Sequence, residues 1–507
     1  MFLRGCDFSI AMLIVLVISV TGAGVVLGKV IYVDCEATGD PNGVSWRDAY
    51  TDLQDALNDP CLSYGDQIWV AEGVYKPTTG SDTGAEFNLV DGVAVYGGFT
   101  GGETSLEERD YEQNKTYLSG DLGAGNRSSW IVLTYNLDNT TILDGFCVTG
   151  GQRGIYSYQS EEIIVNCVIG QNSGESIYCY DSEPAIDNCI VEDNGGQGIL
   201  LDQYCSVAVT NCIIRNNDES GIYCYNPGGM VITNCLIHHN GVDGIFFYNP
   251  TLAPIVRNNT IVYNLADGVR KSSSSGPDPD IRNCILWGNA GDDLDLCSAT
   301  YSCIEDGDAG EGNIATDPNF VDYVSIDYDP NHCDFHLSSE SPCIDAGDSN
   351  DIEVGEVDID GDDRIYNGVV DMGADEFRYD DTVEGDLTGE GIVDYRDFVI
   401  FGMAWQSEED QDSWNPACDF VVDGLIDMKD LAFFGTRWGF GWPYDIVEGD
   451  LTGEGIVDYR DFVIFGMAWQ SEEDQDSWNP VCDFVVDGLI DIKDLAFFGT
   501  RWGFGWP

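Results

Sequence analysis

Residues 211–222 read NCIIRNNDESGI and residues 234–245 read NCLIHHNGVDGI, two copies of one pattern. The pattern N-C-x-[IVL]-x-x-N-x-x-x-[GS]-[IV] recurs, with small departures, at spacings of 22 to 25 residues. A unit this short cannot bury its apolar side alone, so consecutive copies must stack against one another. The copies begin at Asn166, Asn188, Asn211, Asn234, Asn258 and Asn283.

Each copy combines short runs of β-branched residues with Asn and Gly turns, which predicts strands separated by bends. Stacked strands place equivalent residues about 4.8 Å apart, so amide side chains can bond from one copy to the next. We therefore predict a mainly β fold, a β-solenoid, with an amide ladder. A leucine-rich horseshoe has a similar period, but these repeats are rich in Ile and Val and poor in Leu. The predicted ladder consists of Asn172, Asn194, Asn217, Asn240, Asn264 and Asn289.

The composition excludes several classes of protein. The 507-residue chain has 90 Asp and Glu against 21 Lys and Arg, a formal charge of −69. This charge opposes binding to nucleic acid or to anionic membranes and favours calcium as a cofactor. Arg4 precedes an apolar run over 10–20 and small residues over 21–24, the pattern of a cleavable export signal. The alternative is an uncleaved membrane anchor, because the apolar character continues to Leu27. We expect a secreted or cell-surface protein with no membrane segment beyond that signal.

Cysteine recurs at a fixed place in the repeat, among 18 cysteines in the chain. A recurrent position argues for buried thiols rather than for a disulfide framework. The predicted buried column is Cys147, Cys167, Cys189, Cys212, Cys235 and Cys284.

The regions that flank the repeats complete the solenoid. A strand over 31–33 is followed by a predicted helix over 45–57, with Ser45 as its N-cap, which covers the open end of the apolar interior. Segments 68–70 and 93–96 have the strand pattern expected of the first turns of the solenoid. The expected parts of the chain are a signal peptide 1–28, an N-terminal cap with first turns 29–146, regular turns 147–299, a closing region 300–379, and two C-terminal modules 384–443 and 448–507.

The sequences of these flanks resemble a known family. The segments IYVDCEATGDPNGVSWRDAYTDLQDAL (31–57), GDQIWVAEGVYKP (65–77), HLSSESPCIDAGD (336–348) and DMGADEF (371–377) are similar to secreted bacterial right-handed parallel β-helix proteins. The resemblance implies the pectin-lyase-like fold over residues 30–377. That fold is used by lyases, hydrolases and adhesins, so it implies no single activity.

The C-terminal region contains a duplicated calcium-loop pattern. Residues 383–443 and 447–507 differ only at Ala417/Val481 and Met428/Ile492. Each copy has two loops with oxygen ligands at the positions that calcium loops use and Gly at position 6. The second loop lacks an oxygen at position 3, where Val421 stands, so we expect it to bind calcium more weakly. The predicted ligands are Asp386, Thr388, Glu390, Ile392 (carbonyl), Asp394, Asp397, Asp419, Asp423, Leu425 (carbonyl), Asp427, Asp430, Asp450, Thr452, Glu454, Ile456 (carbonyl), Asp458, Asp461, Asp483, Asp487, Leu489 (carbonyl), Asp491 and Asp494.

After each loop the apolar spacing becomes helical, as in Phe398, Phe401 and Trp405. A calcium loop with one helix, duplicated within about 60 residues, resembles the type I dockerin module. The resemblance implies two small α-helical calcium modules that dock the protein onto a cohesin-like partner, in the setting of polysaccharide breakdown.

An aromatic alternation follows the Gly-Ile end of each repeat, as in GIYSY, GIYCY and GIFFY. Period-2 geometry sends alternate side chains outward, and flat apolar rings with a polar tip suit sugar rings. Glu175, Asp243 and Asp267 precede these segments and offer polar contacts or calcium ligands. The alternatives are that a loop covers the rings or that the tyrosines only stabilise one another. The predicted polysaccharide-binding residues are Tyr156, Tyr158, Tyr178, Tyr180, Tyr223, Tyr225, Phe246 and Tyr248.

A catalytic interpretation rests on one column of the repeat. Counting three residues past the Cys position places Glu192, Arg215 and His238 on consecutive turns. A carboxylate, a guanidinium and an imidazole can serve acid–base chemistry, whereas an exposed ladder of ion pairs is the structural alternative. The sequence has neither an R-x-P-x-x-R segment nor a G-H-G segment, which pectate lyases and polygalacturonases use.

These observations predict a secreted β-helix protein that binds polysaccharide, tethered through calcium-binding modules. If it is an enzyme, the reaction is polysaccharide cleavage by a lyase or hydrolase. The alternative is a non-catalytic surface adhesin or scaffold with calcium-stabilised modules.

Overall fold

The structure is a computed structural model. The chain forms two compact units, Met1–Phe377 and Arg378–Pro507. The predicted signal peptide, apart from its last residue, and all predicted calcium ligands lie outside the described residues. The structure describes residues 28–273, 276–322, 333–352, 355–366 and 368–378, with a few positions between 400 and 426.

A parallel β-helix of about ten turns forms the body of the first unit. Most turns contribute one strand to each of three parallel sheets, named A, B and C here. The predicted solenoid is therefore correct, and the leucine-rich horseshoe is wrong.

The three sheets have these strands in stacking order. Sheet A contains Val30–Val33, Gln67–Ala71, Ala94–Phe99, Ile142–Asp144, Ile163–Val165, Ala185–Asp187, Ala208–Thr210, Val231–Thr233, Ile255–Arg257, Asp280–Arg282 and Ala299–Thr300. Sheet B contains Gly73–Tyr75, Thr116–Ser119, Phe146–Thr149, Val168–Gly170, Ile190–Glu192, Ile213–Arg215, Leu236–His238, Thr260–Val262, Ile285–Trp287 and Cys303–Ile304. Sheet C contains Phe87–Asn88, Val132–Tyr135, Ile155–Tyr158, Ile177–Tyr180, Ile199–Asp202, Ile222–Tyr225, Ile245–Tyr248, Val269–Lys271 and Leu294–Asp295.

Short elements decorate the three sheets. Between residues 28 and 378, the described part of the chain has two antiparallel pairs and three brief helices. These elements are the pair Asp121–Gly123 with Asn126–Arg127, the pair Phe320–Asp322 with Asp334–Leu337, the α-helix Leu53–Leu57, and the 3₁₀ helices Leu106–Glu108 and Ser349–Asp351. No helix in the described part of the chain has the length and hydropathy that a membrane span requires.

The Asn-Cys pair forms the bend from sheet A to sheet B. The first Asn of each repeat adopts a left-handed backbone, with φ of 52° at Asn211 and 53° at Asn234, a conformation that Asn tolerates better than most residues. The following Cys turns inward, and Cys212 and Cys235 are fully buried free thiols. The buried thiol column is thus confirmed from Cys167 to Cys284, although Asn259 takes one place in it.

Cys147 does not belong to this column. It pairs with Val168 in sheet B, one residue beyond the interior position, which Phe146 occupies instead. The bend before it is made by Gly145, at φ 81°, so the turn has Gly-Phe where the later turns have Asn-Cys. A one-residue shift of register moves a side chain to the other face of the strand.

The predicted amide ladder is confirmed. Asn217 Nδ2 donates to Asn240 Oδ1 at 3.0 Å and to the Val191 carbonyl at 3.1 Å. The same contacts repeat from Asn172 to Asn289. These side chains satisfy backbone groups that the bends would otherwise leave buried and unpaired.

A short helix covers the N-terminal end of the apolar interior, as expected, through Leu53, Ala56 and Leu57. Its predicted start at Ser45 is wrong. The Tyr50 backbone bonds to Tyr32 and Asp34 of the first turn, which leaves it unavailable to a helix. Asp52 is the N-cap, and its carboxylate accepts from the Gln54 amide at 2.9 Å.

The closing region packs on the outer faces of sheets A and B over the last turns. Phe335 and Met372 join Val262, Ile285 and Cys303 in one apolar cluster. Residues Asp348 and Glu356 bond to the Asn bends of sheet A. Sheet C keeps partly exposed rings on its outer face.

Candidate functional site

The outer face of sheet C carries two aligned columns of side chains. The strand register places Tyr156, Tyr178, Leu200, Tyr223 and Phe246 in column 1. It places Tyr158, Tyr180, Asp202, Tyr225 and Tyr248 in column 2. The residues between the columns point inward and are fully buried: Ser157, Cys179, Leu201, Cys224 and Phe247.

The rings of each column stack on one another along the solenoid. Tyr158 and Tyr180 are parallel within 2°, with centroids 5.4 Å apart. Tyr225 and Tyr248 are parallel within 5° at 4.8 Å, and Tyr156 lies 5.3 Å from Tyr178. The ring faces are therefore largely used within the stack, and the outward parts are ring edges and hydroxyl groups.

Two rings outside the predicted set stack on the N-terminal ends of the columns, although Leu133 holds the column 1 position on that turn. Tyr135 stacks on Tyr158 at 5.2 Å, and Trp130 stacks on Tyr156 at 5.0 Å. This turn lacks the Asn-Cys motif, so repeat alignment could not reach it. The alternation over 132–135, VLTY, which places Leu133 and Tyr135 outward, is the signal that would have indicated Tyr135.

The acidic residues near the columns are engaged by arginine. Glu175 binds Arg153 at 2.5 Å, and the Arg153 guanidinium lies over the Trp130 ring. At the other end Arg270 binds Asp243 and Asp267 at 2.6 and 3.3 Å, while its guanidinium lies 4.1 Å from the Phe246 centroid. These carboxylates therefore hold the two arginines against the rings at the ends of column 1.

Both columns are interrupted on one turn, where Leu200 and Asp202 replace the rings. Tyr178 Oη donates to Asp202 Oδ2 at 3.1 Å. Burial and the Asp202 carboxylate raise the pKa of the Tyr178 phenol well above its usual value, so the hydroxyl stays protonated. Asp202 Oδ1 is buried and accepts no hydrogen bond from the described residues.

Sheet B aligns Glu192, Arg215 and His238 on consecutive turns. Arg215 donates to Glu192 Oε2 through two nitrogens, at 2.9 and 2.7 Å. His238 is 1% exposed and lies 5.1 Å from the Phe335 ring of the closing region. Burial, with the nearby His239 and Arg215, lowers the pKa of His238 well below its usual value, so the imidazole is neutral. Arg215 and Glu192 therefore form an ion pair, and His238 beside them is covered by Phe335.

A second polar cluster lies in the closing region, and the sequence reasoning did not single it out. His336 Nε2 contacts Asp360 at 3.0 Å, and its Nδ1 contacts Asp334. Partial desolvation opposes the charged imidazole, but the two carboxylates outweigh it and raise the pKa of His336. His336, Asp360 and Asp375 each offer a ligand atom, all within 4.8 Å of one another. They are the described residues that could hold a metal ion.

Comparison with known proteins agrees with this fold. A family described as "Right handed beta helix region" matches residues 124–286, and no curated protein matches the chain. Pectate lyase Pel9A is similar at a TM-score of 0.52 and 15% identity, covering 70% of this chain and 98% of that one.

Two further structures are less similar. The A-module of mannuronan C-5 epimerase AlgE4 from Azotobacter vinelandii has a TM-score of 0.34 at 14% identity, covering 54% of this chain and 75% of that one. The pectin methylesterase from Aspergillus niger has a TM-score of 0.32 at 16% identity, covering 59% and 92%. The likeness to the pectate lyase shows the fold alone: the solenoid is a right-handed parallel β-helix of the pectate lyase-like kind.

Proposed function

We propose that this protein binds polysaccharide on the outer face of sheet C. The observation that carries the proposal is the pair of aligned columns, whose tyrosines are partly exposed and present hydroxyl groups, whereas Phe246 is buried beneath Arg270. Aromatic edges with polar tips provide apolar contact and hydrogen bonds together, as sugar rings require. The similar β-helix Pel9A is a lyase of pectate, a polysaccharide, and the same class of ligand suits this face.

The protein is exported and tethered in this proposal. The apolar N-terminal segment supplies the export signal, and the C-terminal modules bind calcium through their four loops. A cohesin-like partner that receives these modules would hold the β-helix at a surface where its polysaccharide occurs.

A non-catalytic adhesin or scaffold is the second candidate, and one observation favours it over an enzyme. Glu192 is bonded to Arg215, and His238 lies beneath Phe335, so neither acid–base group is free to meet a sugar. Release of reducing ends or unsaturated products from an acidic polysaccharide would support the enzyme instead.

Replacement of two column residues tests the binding proposal. We expect the double variant Tyr178→Ala, Tyr223→Ala in the full chain to weaken polysaccharide retention about tenfold, which is about 1.4 kcal/mol. Affinity electrophoresis in gels that contain single polysaccharides measures the effect. The melting temperature should fall modestly, because each stacked ring pair contributes about 0.5–1.5 kcal/mol.

Tyr64→Ala is the matched control, since Tyr64 is 61% exposed and lies outside the columns. Equal retention of the double variant and the wild type would contradict binding on sheet C. An array of polysaccharides on which the wild type binds nothing would contradict the proposed function itself.

A further inference from the structure

His336, Asp360 and Asp375 meet in the closing region, where three segments of the chain converge. A ring nitrogen of His336 and a carboxylate oxygen of each aspartate lie within 4.8 Å of one another. The side chains of His336 and Asp360 are 50% and 47% exposed, so a dissolved ion can reach them. We call these three residues the closing-region triad.

Backbone contacts bring the three segments of the triad together. The Leu337 amide donates to Asp375 Oδ2 at 2.7 Å, and the Ile359 amide donates to the Ala374 carbonyl at 3.1 Å. Asp358 is 1% exposed, and its carboxylate accepts from three amides of the same turn and final segment. The ligand atoms are therefore held in place by the scaffold, as a preorganised metal site requires.

Asp334 determines which nitrogen of His336 is offered to a ligand. Its carboxylate contacts Nδ1, while Nε2 lies 3.0 Å from Asp360 Oδ2. A histidine that ligates a metal through one ring nitrogen usually donates the other N–H to a carboxylate, which fixes the ring. The distance of 3.0 Å also suits two ligands of one ion, since metal–ligand distances of about 2.1 Å place neighbouring ligands about 3.0–3.4 Å apart.

Negative charge at the triad is poorly compensated. Asp375 is 9% exposed, and in the described part of the chain no side chain donates to it. Arg364 is buried in the same region, but its guanidinium donates to the backbone carbonyls of residues 371, 373 and 374. A buried carboxylate that lacks a side-chain donor is stabilised by a bound cation.

The ligand atoms select the class of cation. Calcium and magnesium take oxygen ligands, whereas one imidazole with two carboxylates suits zinc and other divalent transition metals. We propose that His336, Asp360 and Asp375 bind a divalent transition-metal ion, which replaces the proton between Nε2 and Asp360. Three protein ligands leave at least one position for water.

The bound ion would hold the closing region on the last turns of the solenoid. Phe335, between Asp334 and His336 in sequence, packs into the apolar cluster with Val262 and Ile285. A metal that joins the three segments behind this ring stabilises the cover over sheet B. This inference is independent of polysaccharide binding.

Zinc titration of the full chain tests the site, in an excess of calcium that saturates the predicted C-terminal loops. We expect calorimetry to show a bound zinc ion and the β-helix to melt at a higher temperature, because zinc binds the folded closing region. His336→Ala and Asp360→Asn should each weaken this binding at least about tenfold. Both side chains are half exposed, so the zinc-free melting temperature should change little.

Glu340→Gln is the matched control, since it removes an exposed carboxylate of the closing region outside the triad. Its zinc affinity should equal that of the wild type. Equal zinc affinity in the two triad variants and the wild type, or no zinc bound by the wild type, would overturn the site. A stabilisation by calcium alone that depends on His336 and Asp360 would overturn the transition-metal class.

Chemical protection covers the case in which a triad variant does not fold. Diethylpyrocarbonate modifies exposed imidazole nitrogens, and peptide mass spectrometry of the wild type follows His336 directly. Zinc at about ten times its Kd should slow this modification about tenfold, because only the zinc-free fraction reacts. An unchanged rate would overturn the site without reference to any variant.

Discussion

Glu162 is a carboxyl group fully enclosed in the solenoid, where Thr134 donates to Oε1 at 2.8 Å and Oε2 accepts no hydrogen bond from the described residues. Burial raises its pKa. The unfolded chain releases this proton near its ordinary pKa of about 4.3, and the folded chain retains it to higher pH. Stability from this group is therefore complete below that pH and is lost as the pH rises toward the folded pKa. We expect Glu162→Gln to melt progressively higher than the wild type as the pH increases from 4 to 8.

Glu161→Gln is the control for this residue, because Glu161 is the exposed neighbour of Glu162 in the same bend. Its melting temperature should follow that of the wild type across the same range. A constant offset between Glu162→Gln and the wild type at every pH would show that Glu162 has the same pKa in both states.

The amide ladder is the element that joins successive turns at the bend after sheet B. Asn217 accepts from the Asn194 amide and side chain and donates to Asn240 and the Val191 carbonyl. Asn217→Ala leaves several buried groups unpaired, at about 1–3 kcal/mol each. We expect a loss of about 3 kcal/mol or more in the free energy of unfolding, measured by urea denaturation.

Asn188→Gly is the matched control for the ladder. Asn188 is exposed, has φ of 47° and makes a side-chain bond to Asn166, and glycine adopts that backbone without strain. The loss should stay below about 1 kcal/mol. An equal loss of unfolding free energy in both variants would show that the ladder contributes little more to stability than an ordinary surface hydrogen bond.

At the scale of the whole molecule, the two units should respond differently to calcium. Residues 384–443 carry 13 Asp and Glu against 3 Lys and Arg, and a module of this size has a marginal core. Calcium adds about 2.7 kcal/mol at a hundredfold excess over Kd. We expect the isolated 384–443 module to unfold in chelator and to regain helical circular dichroism on calcium titration, while the β-helix melts unchanged.

Variants of the loops refine this test. Asp386→Ala should impair calcium binding more than Asp419→Ala, because the loop of Asp419 already lacks a ligand at Val421. A module that is equally folded with and without calcium would contradict the predicted metal sites.

The repeat pattern by itself determined the β-solenoid, the amide ladder and the outward direction of the tyrosines. These features depend on residues a few positions apart and on a period of about 23, so local backbone preferences encode them. A non-repeating contact overrides the local pattern at Ser45, where the pairing of Tyr50 with Tyr32 replaces the predicted helix.

Only the tertiary structure decided which of the aligned side chains are accessible to a ligand. Phe335 covers His238 from almost a hundred residues further along the chain, and such packing leaves no periodic signal. The stacking of rings within each column likewise follows from the distance between turns. Sequence spacing assigns a residue to a face, whereas contacts between distant segments determine what that face can bind.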